Sequence, residues 1–377
     1  MSEPTPDGRI RVLWLIKGLG PGGAERLLAA AATVRDRDAF AYRAAYLLPE
    51  KNHLVGELQA CGVPVQCLDM RDERDLRWAR RLRRDLAEHP VDVVHVHSPY
   101  VAALVRLVIR TLPRRVRPRV VSTEHNDWSR FGVASRVLNG VTLPLSDAVF
   151  AVSDQARRSI WRPLRSRVET VVHGVAIEDV RKARADRDAV RGELGAGPGE
   201  LVVVTIANYT PKKDYPTLLH AARRVIDRGL PVRFVVVGQG PLEREVHGLH
   251  DQLGLGRGVA LLGYREDAIR VLAAGDVFTL SSSFEGLPVS LMEALVLGLP
   301  VAATNVGGIP EAVREGIEGF LVPPRRPDLL ADAIERLAVD TDRRATMARA
   351  AAARGDAFDI SRAVRRYEDA YRALVSG

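Results

Sequence analysis

A chain of 377 residues exceeds what one ordinary hydrophobic core organises, so two domains are expected. Its 46% hydrophobic and 27% charged content excludes a disordered chain, and no run approaches the ~18 apolar residues of a membrane-spanning helix. The net charge of +8 is uneven: residues 1–180 hold 28 Lys and Arg against 21 Asp and Glu, residues 181–377 hold 27 against 26.

In chain order, MSEPTPDGRIRVLWLI lacks the basic region, apolar stretch and small-residue cleavage site of a secretory leader. Cys61 and Cys67 have no His or Cys cluster around them, which predicts reduced thiols and a cytoplasmic protein. IRVLWLI (10–16) reads as a buried strand, and GLGPGG then opens a helix at AERLLAAAATV. Further strands are expected at 43–48, 63–68, 91–97, 118–125, 147–153 and 167–175, with helical patterns between them. A charged, Gly-tailed stretch (179–200) reads as helix plus linker. The alternation restarts at LVVVTIAN (201–208), with later strands in VRFVVVGQG, VALLGY, DVFTLSS, PVAATNVGG and GFLVPP. Gly229 suits the end of the helix that starts near Pro216. The expected fold is α/β: two doubly wound domains, residues 1–178 and 179–359, with a last amphipathic helix (360–377) returning to the first.

The positive surplus lies largely in 71–84 (RDERDLRWARRLRR) and 106–119 (RLVIRTLPRRVRPR). Leu76, Ala79, Leu82 and Leu86 fall at helical spacing in the first, which predicts a surface helix with a solvated Arg face. A second reading is a basic surface meeting anionic lipid headgroups or an acidic acceptor. Aromatic residues are 5% and no recognition module appears, so nucleic acid is not an expected partner.

In open parallel sheets, ligands bind beyond the carboxyl ends of the strands, near helix N-termini. The loop 18–25, with Gly22 and Gly23, follows the first strand and lets backbone N–H groups approach an anion; its spacing is not the dinucleotide GxGxxG. His95, His97 and His125 end strand patterns. The first two read as structural and His125 as a site residue beside Glu124, Asn126 and Asp127. Asn208, Lys212 and Lys213 follow the strand at 201, in a chain with five lysines. Gly240 lies in a glycine turn after a strand. In FEGLPVSLMEALVLGLP (284–300), Glu285 is on the loop and can accept hydroxyls. The N–H groups of Gly286 and Leu287 point from a helix N-terminus, and Pro288 suits its first turn. Glu293 sits in an otherwise apolar helix, where a buried carboxylate costs several kcal/mol without a partner. A ligand diol or an arginine would each satisfy it.

These residues resemble the retaining glycosyltransferases of family 4, which have the GT-B fold with an interdomain cleft. Glu285 and Glu293 match the Glu-x7-Glu pair, GQGPL the Gly-x-Gly-Pro turn, SSSFEGLP the Ser-x-x-Glu-Gly-Leu-Pro loop, NVGGIPE the Gly-Gly-x-x-Glu stretch, and GGAE the amino-terminal glycine loop. The resemblance implies transfer of a hexosyl sugar from a nucleotide-diphosphate donor, UDP- or GDP-linked, to an acceptor hydroxyl, with retention and without a metal or other cofactor. It implies that Lys213 neutralises the diphosphate, and that Glu285 with the Gly286–Leu287 backbone holds sugar and phosphate. Glu293 would bind the ribose, Tyr264 and Arg265 would lie near the base, and His125 near the donor sugar. Two positions depart from the family: Ala207–Asn208 stands where Gly-Arg is usual, and His173–Gly174 where Asn-Gly is usual. Lys212 or an arginine from elsewhere could compensate for the first. The acceptor is expected to be a glycan, a lipid-linked or a small-molecule hydroxyl, with peripheral membrane contact through the basic first half. The alternatives are an epimerase or sugar phosphorylase of the same fold, or a degenerate sugar-nucleotide binder.

Overall fold

A computed structural model describes residues 8–72 and 75–377. Residues 1–7 of the stretch read for a leader, and Glu73 and Arg74 of the first basic stretch, lie outside the described residues. The chain forms two compact units: the part up to Gly174 together with Ile360–Gly377, and Val175–Asp359.

The first unit holds β1 (Ile10–Ile16), β2 (Phe40–Tyr46), β3 (Val65–Cys67), β4 (Val93–Val96), β5 (Arg119–Glu124), β6 (Ala148–Ala151) and β7 (Val168–Thr170). They form one parallel sheet in the order β3-β2-β1-β4-β5-β6-β7. The second unit holds β8 (Leu201–Ile206), β9 (Val232–Val237), β10 (Val259–Leu261), β11 (Val277–Leu280), β12 (Val301–Thr304) and β13 (Gly319–Val322). Their order is β10-β9-β8-β11-β12-β13, again all parallel. Helices between the strands bury both faces, which is why the central strands are continuous Val, Leu and Ile runs. Every strand expected from the sequence is present, most of them shorter by a residue or more at their ends.

Gly229 adopts φ +70° after the helix Tyr215–Asp227, as its placement predicts. The basic helix spans Arg77–Glu88, but its buried stripe is Trp78, Leu82 and Leu86. Leu76 is 53% exposed, because the helix starts one residue after it and Trp78 takes the inward position. The second basic stretch also departs from a uniform surface. Arg106 is wholly buried and donates to Ser146, Ser122, Asn139 and Thr142 side chains.

The helix Ile360–Ser376 belongs to the first unit. Its buried Glu368 accepts from Tyr42 Oη and Asp36 N–H, both at 3.0 Å, and Arg372 pairs with Asp36 at 2.9 Å. Its Tyr371 hydroxyl reaches His95 Nδ1 at the end of β4. Both cysteines stand as free thiols. Among the described residues no helix is long and apolar enough to cross a membrane.

Candidate active site

Each sheet reverses its direction of growth at one point. In the second unit β8 pairs with β9 on one side and β11 on the other, so the loops leaving β8 and β11 diverge and open a crevice at their carboxyl ends. The chain puts its charged motif into these two loops. Lys212 and Lys213 occupy a single 3₁₀ turn, Pro211–Lys213, which Asp214 closes in the left-handed conformation at φ +47°. Asp214 then caps the helix Tyr215–Asp227 through Thr217, accepting from its hydroxyl at 2.7 Å.

The serines of the β11 loop cross-link the two loops. Ser283 N–H donates to Lys212 O at 2.7 Å, and Ser281 Oγ donates to Lys213 O at 2.8 Å and Asp214 O at 3.0 Å. Ser282 Oγ donates to Glu285 Oε1 at 2.7 Å. Glu285 itself is buried, with Lys213 Nζ at 2.5 Å and Lys212 Nζ at 3.7 Å from its two oxygens. Burial acts to raise the Glu285 carboxyl, but the charges of Lys213 and Lys212 and the hydrogen bonds outweigh it and hold it below the ordinary carboxylate range. Burial lowers the Lys213 ammonium, and Glu285 opposes that shift. Two ammonium groups around one carboxylate leave the crevice with surplus positive charge, and each Lys carries three N–H donors. Such a cluster suits an oxygen-rich anion.

Glycines bring the neighbouring loops into contact. A Cβ on Gly307, which sits at φ +58°, would lie 2.0 Å from Glu285 O. Gly308 N–H donates to Gly286 O at 2.6 Å. On the other side, a Cβ on Gly238 would lie 1.9 Å from Ala207 O, and one on Gly240 would lie 2.5 Å from Tyr209 O. Both glycine motifs therefore seat the backbones that carry the lysines and Glu285. Leu287 and Pro288 lead into the helix Val289–Val296, with Pro288 at its N-cap, one position earlier than a first-turn residue.

Glu293 lies on this helix and is half-buried, not buried as its apolar neighbours suggest. Its flanking residues Met292 and Ala294 are buried, so the helix presents one partly open line, and Glu293 occupies it. Ionisation there costs less than in a closed core. Asn208 is half-buried, between Ala207 and the wholly buried Tyr209. Tyr264 is 37% exposed. Arg265 is engaged by Asp267, with Nε and Nη2 each at 2.7 Å, and by Glu193 at 3.7 Å.

The first unit reverses its sheet between β1 and β4. The loop leaving β1 contains Gly18 to Gly23, with Gly22 at the N-cap of the helix Gly23–Val34, and it is tied down by Leu19 N–H to Lys51 O at 2.7 Å. The loops leaving β4, β5 and β7 supply histidines. His97 Nδ1 lies 3.3 Å from His125 Nε2, and His173 stacks on His125 with ring centroids 5.0 Å apart and planes 6° from parallel. His95 is held by the hydroxyls of Tyr371 and of Thr123, the latter at 2.7 Å from Nε2. Burial lowers every ring, His125 to about 4 and His95 to about 3, so the cluster is neutral at pH 7. Among the described residues, His97 Nε2 and both nitrogens of His173 find no hydrogen-bond partner, and these rings line a small cavity with Trp14, Tyr367 and Tyr371.

The sequence neighbours of His125 do not share its surroundings. Glu124 is wholly buried, accepting from Trp128 Nε1 at 3.0 Å and Asn139 Nδ2 at 3.1 Å, 4.0 Å from Arg106. Asp127 caps a turn through Ser129 N–H and accepts from Gln155. Sequence reasoning missed Ser282 as the group that orients Glu285 and His173 as the ring against His125. The triple serine beside FEGLP was the only signal for the first, and His173 replacing a usual Asn the only one for the second. Among the described residues no group of three or more His, Cys, Asp or Glu could hold a metal ion.

Two parallel Rossmann-like sheets in tandem define the GT-B class. Anabaena HepE in complex with UDP-glucose superposes with a TM-score of 0.84 at 22% identity, covering 97% of this chain and 100% of that one. The family model for Glycosyltransferase Family 4 matches residues 22–179, and that for Glycosyl transferases group 1 matches residues 186–354. The GDP-mannose-dependent alpha-(1-6)-phosphatidylinositol monomannoside mannosyltransferase of Mycobacterium tuberculosis is 30% identical over 284 residues, 71% of this chain and 72% of that protein. The UDP-Gal:alpha-D-GlcNAc-diphosphoundecaprenol alpha-1,3-galactosyltransferase of Escherichia coli is 25% identical over 310 residues, 78% of each chain. The chain belongs to the group 1, family 4 glycosyltransferases, and it is a glycosyltransferase.

Proposed function

We propose that the protein transfers a hexosyl group from a nucleotide-diphosphate sugar to an acceptor hydroxyl with retention at the anomeric carbon. The observation that carries this reading is the Lys212–Lys213–Glu285 cluster at the β8/β11 crevice, where two cations share one carboxylate. In this reading Lys213 and Lys212 meet the donor diphosphate, and the surplus charge offsets what a metal would otherwise offset. Lys212 takes the part of the arginine that Asn208 replaces. Glu285, ionised and oriented by Ser282, accepts from sugar hydroxyls, and the backbone of Gly286 and Leu287 adds N–H donors. Glu293, on the partly open line of its helix, takes the ribose diol, and Tyr264 and Arg265 the base. His125, neutral at pH 7, donates one N–H to the donor sugar, and the Gly22–Gly23 loop contributes backbone donors.

The acceptor oxygen attacks on the face from which the nucleoside diphosphate leaves. The C–O bond to the diphosphate breaks as the new glycosidic bond forms, and the leaving oxygen accepts the acceptor's proton. Catalysis then consists of positioning and of stabilising leaving-group charge. The named relatives use UDP-galactose and GDP-mannose, which supports a UDP- or GDP-linked donor, and their acceptors are lipid-linked, which supports a lipid-linked or glycan hydroxyl here.

The test is a donor panel of UDP- and GDP-sugars with and without candidate acceptors, the anomeric configuration of the product read by NMR. A retained configuration and an activity lost in Glu285→Ala are expected. An inverted product overturns the mechanism, and full activity in Glu285→Ala overturns the site.

A further inference from the structure

The helix Val133–Thr142 is turned inside out. Its buried residues are Asn139, Gly140 and Thr142, and these face the interior because Arg106 and Glu124 are there. Arg106 Nη1 donates to Asn139 Oδ1 at 2.5 Å and Thr142 Oγ1 at 3.3 Å, and Asn139 Nδ2 donates to Glu124. The apolar residues point the other way. Val133 is 68% exposed, Val137 45% and Val141 68%, spaced so that they form one stripe along the helix. Three valines on a solvent face lower helix propensity and leave much of their apolar surface in water, so the isolated unit gains little stability from them.

Trp161 lies beside this helix, where a Cβ on Gly140 would come within 2.4 Å of its ring, yet 37% of it remains exposed. The chain around the stripe is basic and free of acids. Residues 128–146 and 155–168 contain no Asp or Glu, while Arg136 lies in the first and Arg157, Arg158, Arg162, Arg165 and Arg167 in the second. Arg167 Nη2 donates to Pro144 O at 3.4 Å and Arg110 Nη2 to Leu145 O at 3.2 Å, which brings both guanidinium groups to the end of the helix. The carboxylates at the margins are committed: Asp127 to Ser129 N–H and the Gln155 amide, Asp147 to Val120 N–H and Arg119, Asp154 to the Thr170 hydroxyl, and Glu169 to Arg366.

We propose that this face docks on a bilayer surface rich in anionic phospholipid, with the valines and Trp161 entering the headgroup region and the arginines meeting phosphates. An apolar stripe, an interfacial Trp and acid-free basic flanks are together the chemistry of such a surface. A second copy of this chain fits poorly, since it would bring arginines against arginines while residues 128–146 and 155–168 offer no Asp or Glu to pair them. The proposal is independent of the donor reading and is tested without turnover.

The full chain is floated with vesicles of phosphatidylcholine alone and of phosphatidylcholine with phosphatidylglycerol. Binding to the anionic vesicles only is expected. Val137→Ser with Val141→Ser, and separately Arg162→Gln with Arg167→Gln, should each lower the partition coefficient roughly tenfold. No partition into anionic vesicles overturns the proposal. So does partition that the valine pair leaves unchanged, because charge alone then suffices. A dimer in sedimentation that the valine pair dissolves also overturns it and gives the face to a second copy.

Discussion

The two units carry the same topological device and fill it with opposite chemistry. At the β8/β11 crevice the loops hold two lysines and a buried ionised glutamate. At the β1/β4 crevice a glycine loop runs beside His97, which belongs with His125 and His173 to a cluster of neutral histidines. A parallel sheet supplies the place for a ligand and leaves its polarity to the loop residues. The charged crevice suits a diphosphate. The histidine cluster, neutral at pH 7, suits hydroxyls, which need donors and acceptors but no net charge.

The largest effect expected is in Lys213→Ala. Removing it leaves Glu285 buried without its closest cation, so the second unit should lose about 3–5 kcal/mol in urea unfolding and transfer should fall by about 10²–10³ in kcat. A variant as stable and active as the parent would make the pair incidental. Glycine substitutions sharpen the contrast next. Gly307→Ala forces a Cβ onto the Glu285 carbonyl at positive φ and should cost about 2–3 kcal/mol. Gly22→Ala meets only the Glu25 carboxylate, at the end of a flexible side chain, and should cost less than about 1 kcal/mol by the same assay.

Acid should separate the units as well. The histidines have folded pKa values below their unfolded 6.5, so the unfolded chain binds more protons as pH falls. The histidines' contribution to the stability of the first unit is therefore intact above 6.5 and is lost as pH falls from 6.5 through about 4, the value of His125, toward about 3, that of His95. Glu285 is also lowered, so its contribution holds above the ordinary carboxylate value and is lost only below it. All four tryptophans, Trp14, Trp78, Trp128 and Trp161, lie in the first unit, so their fluorescence reports it alone. A first unit whose fluorescence midpoint in urea does not move between pH 7 and pH 5 would contradict this. A smaller loss than in Lys213→Ala and Gly307→Ala is expected in Ser282→Ala, which removes one hydrogen bond to the carboxylate. It should weaken the second unit by about 1.5 kcal/mol and shift the acid limb of the pH–rate profile upward.

The strands were legible because parallel strands buried on both faces are short runs of Val, Ile and Leu between helical patterns, and two such series predicted the two sheets. The crevice residues were legible as residue types at strand ends. Their partners were not. Lys213 meets Glu285 across 72 positions because β8 pairs with β11, and adjacency in a sheet is invisible in local sequence. His173 reaches His125 from the loop after β7 in the same way. Local sequence misled at Glu293, where apolar neighbours suggested burial that one open helix line removes. It also misled at Arg106, where an Arg-rich stretch hid one guanidinium that belongs to the core. The valine helix shows why: periodicity tells which residues share a face, and tertiary contacts decide which face turns inward.

In the proposed reading, the Lys–Glu cluster of the second unit receives the donor diphosphate. Calorimetric titration of UDP and GDP into the parent and into Lys213→Met with Glu285→Gln tests it most directly, because the double change removes the buried pair without stranding a charge. One nucleotide is expected to bind the parent, with an affinity that falls by about a hundredfold in the double variant, whose thermal unfolding stays near that of the parent. Equal affinity in the two proteins would contradict it.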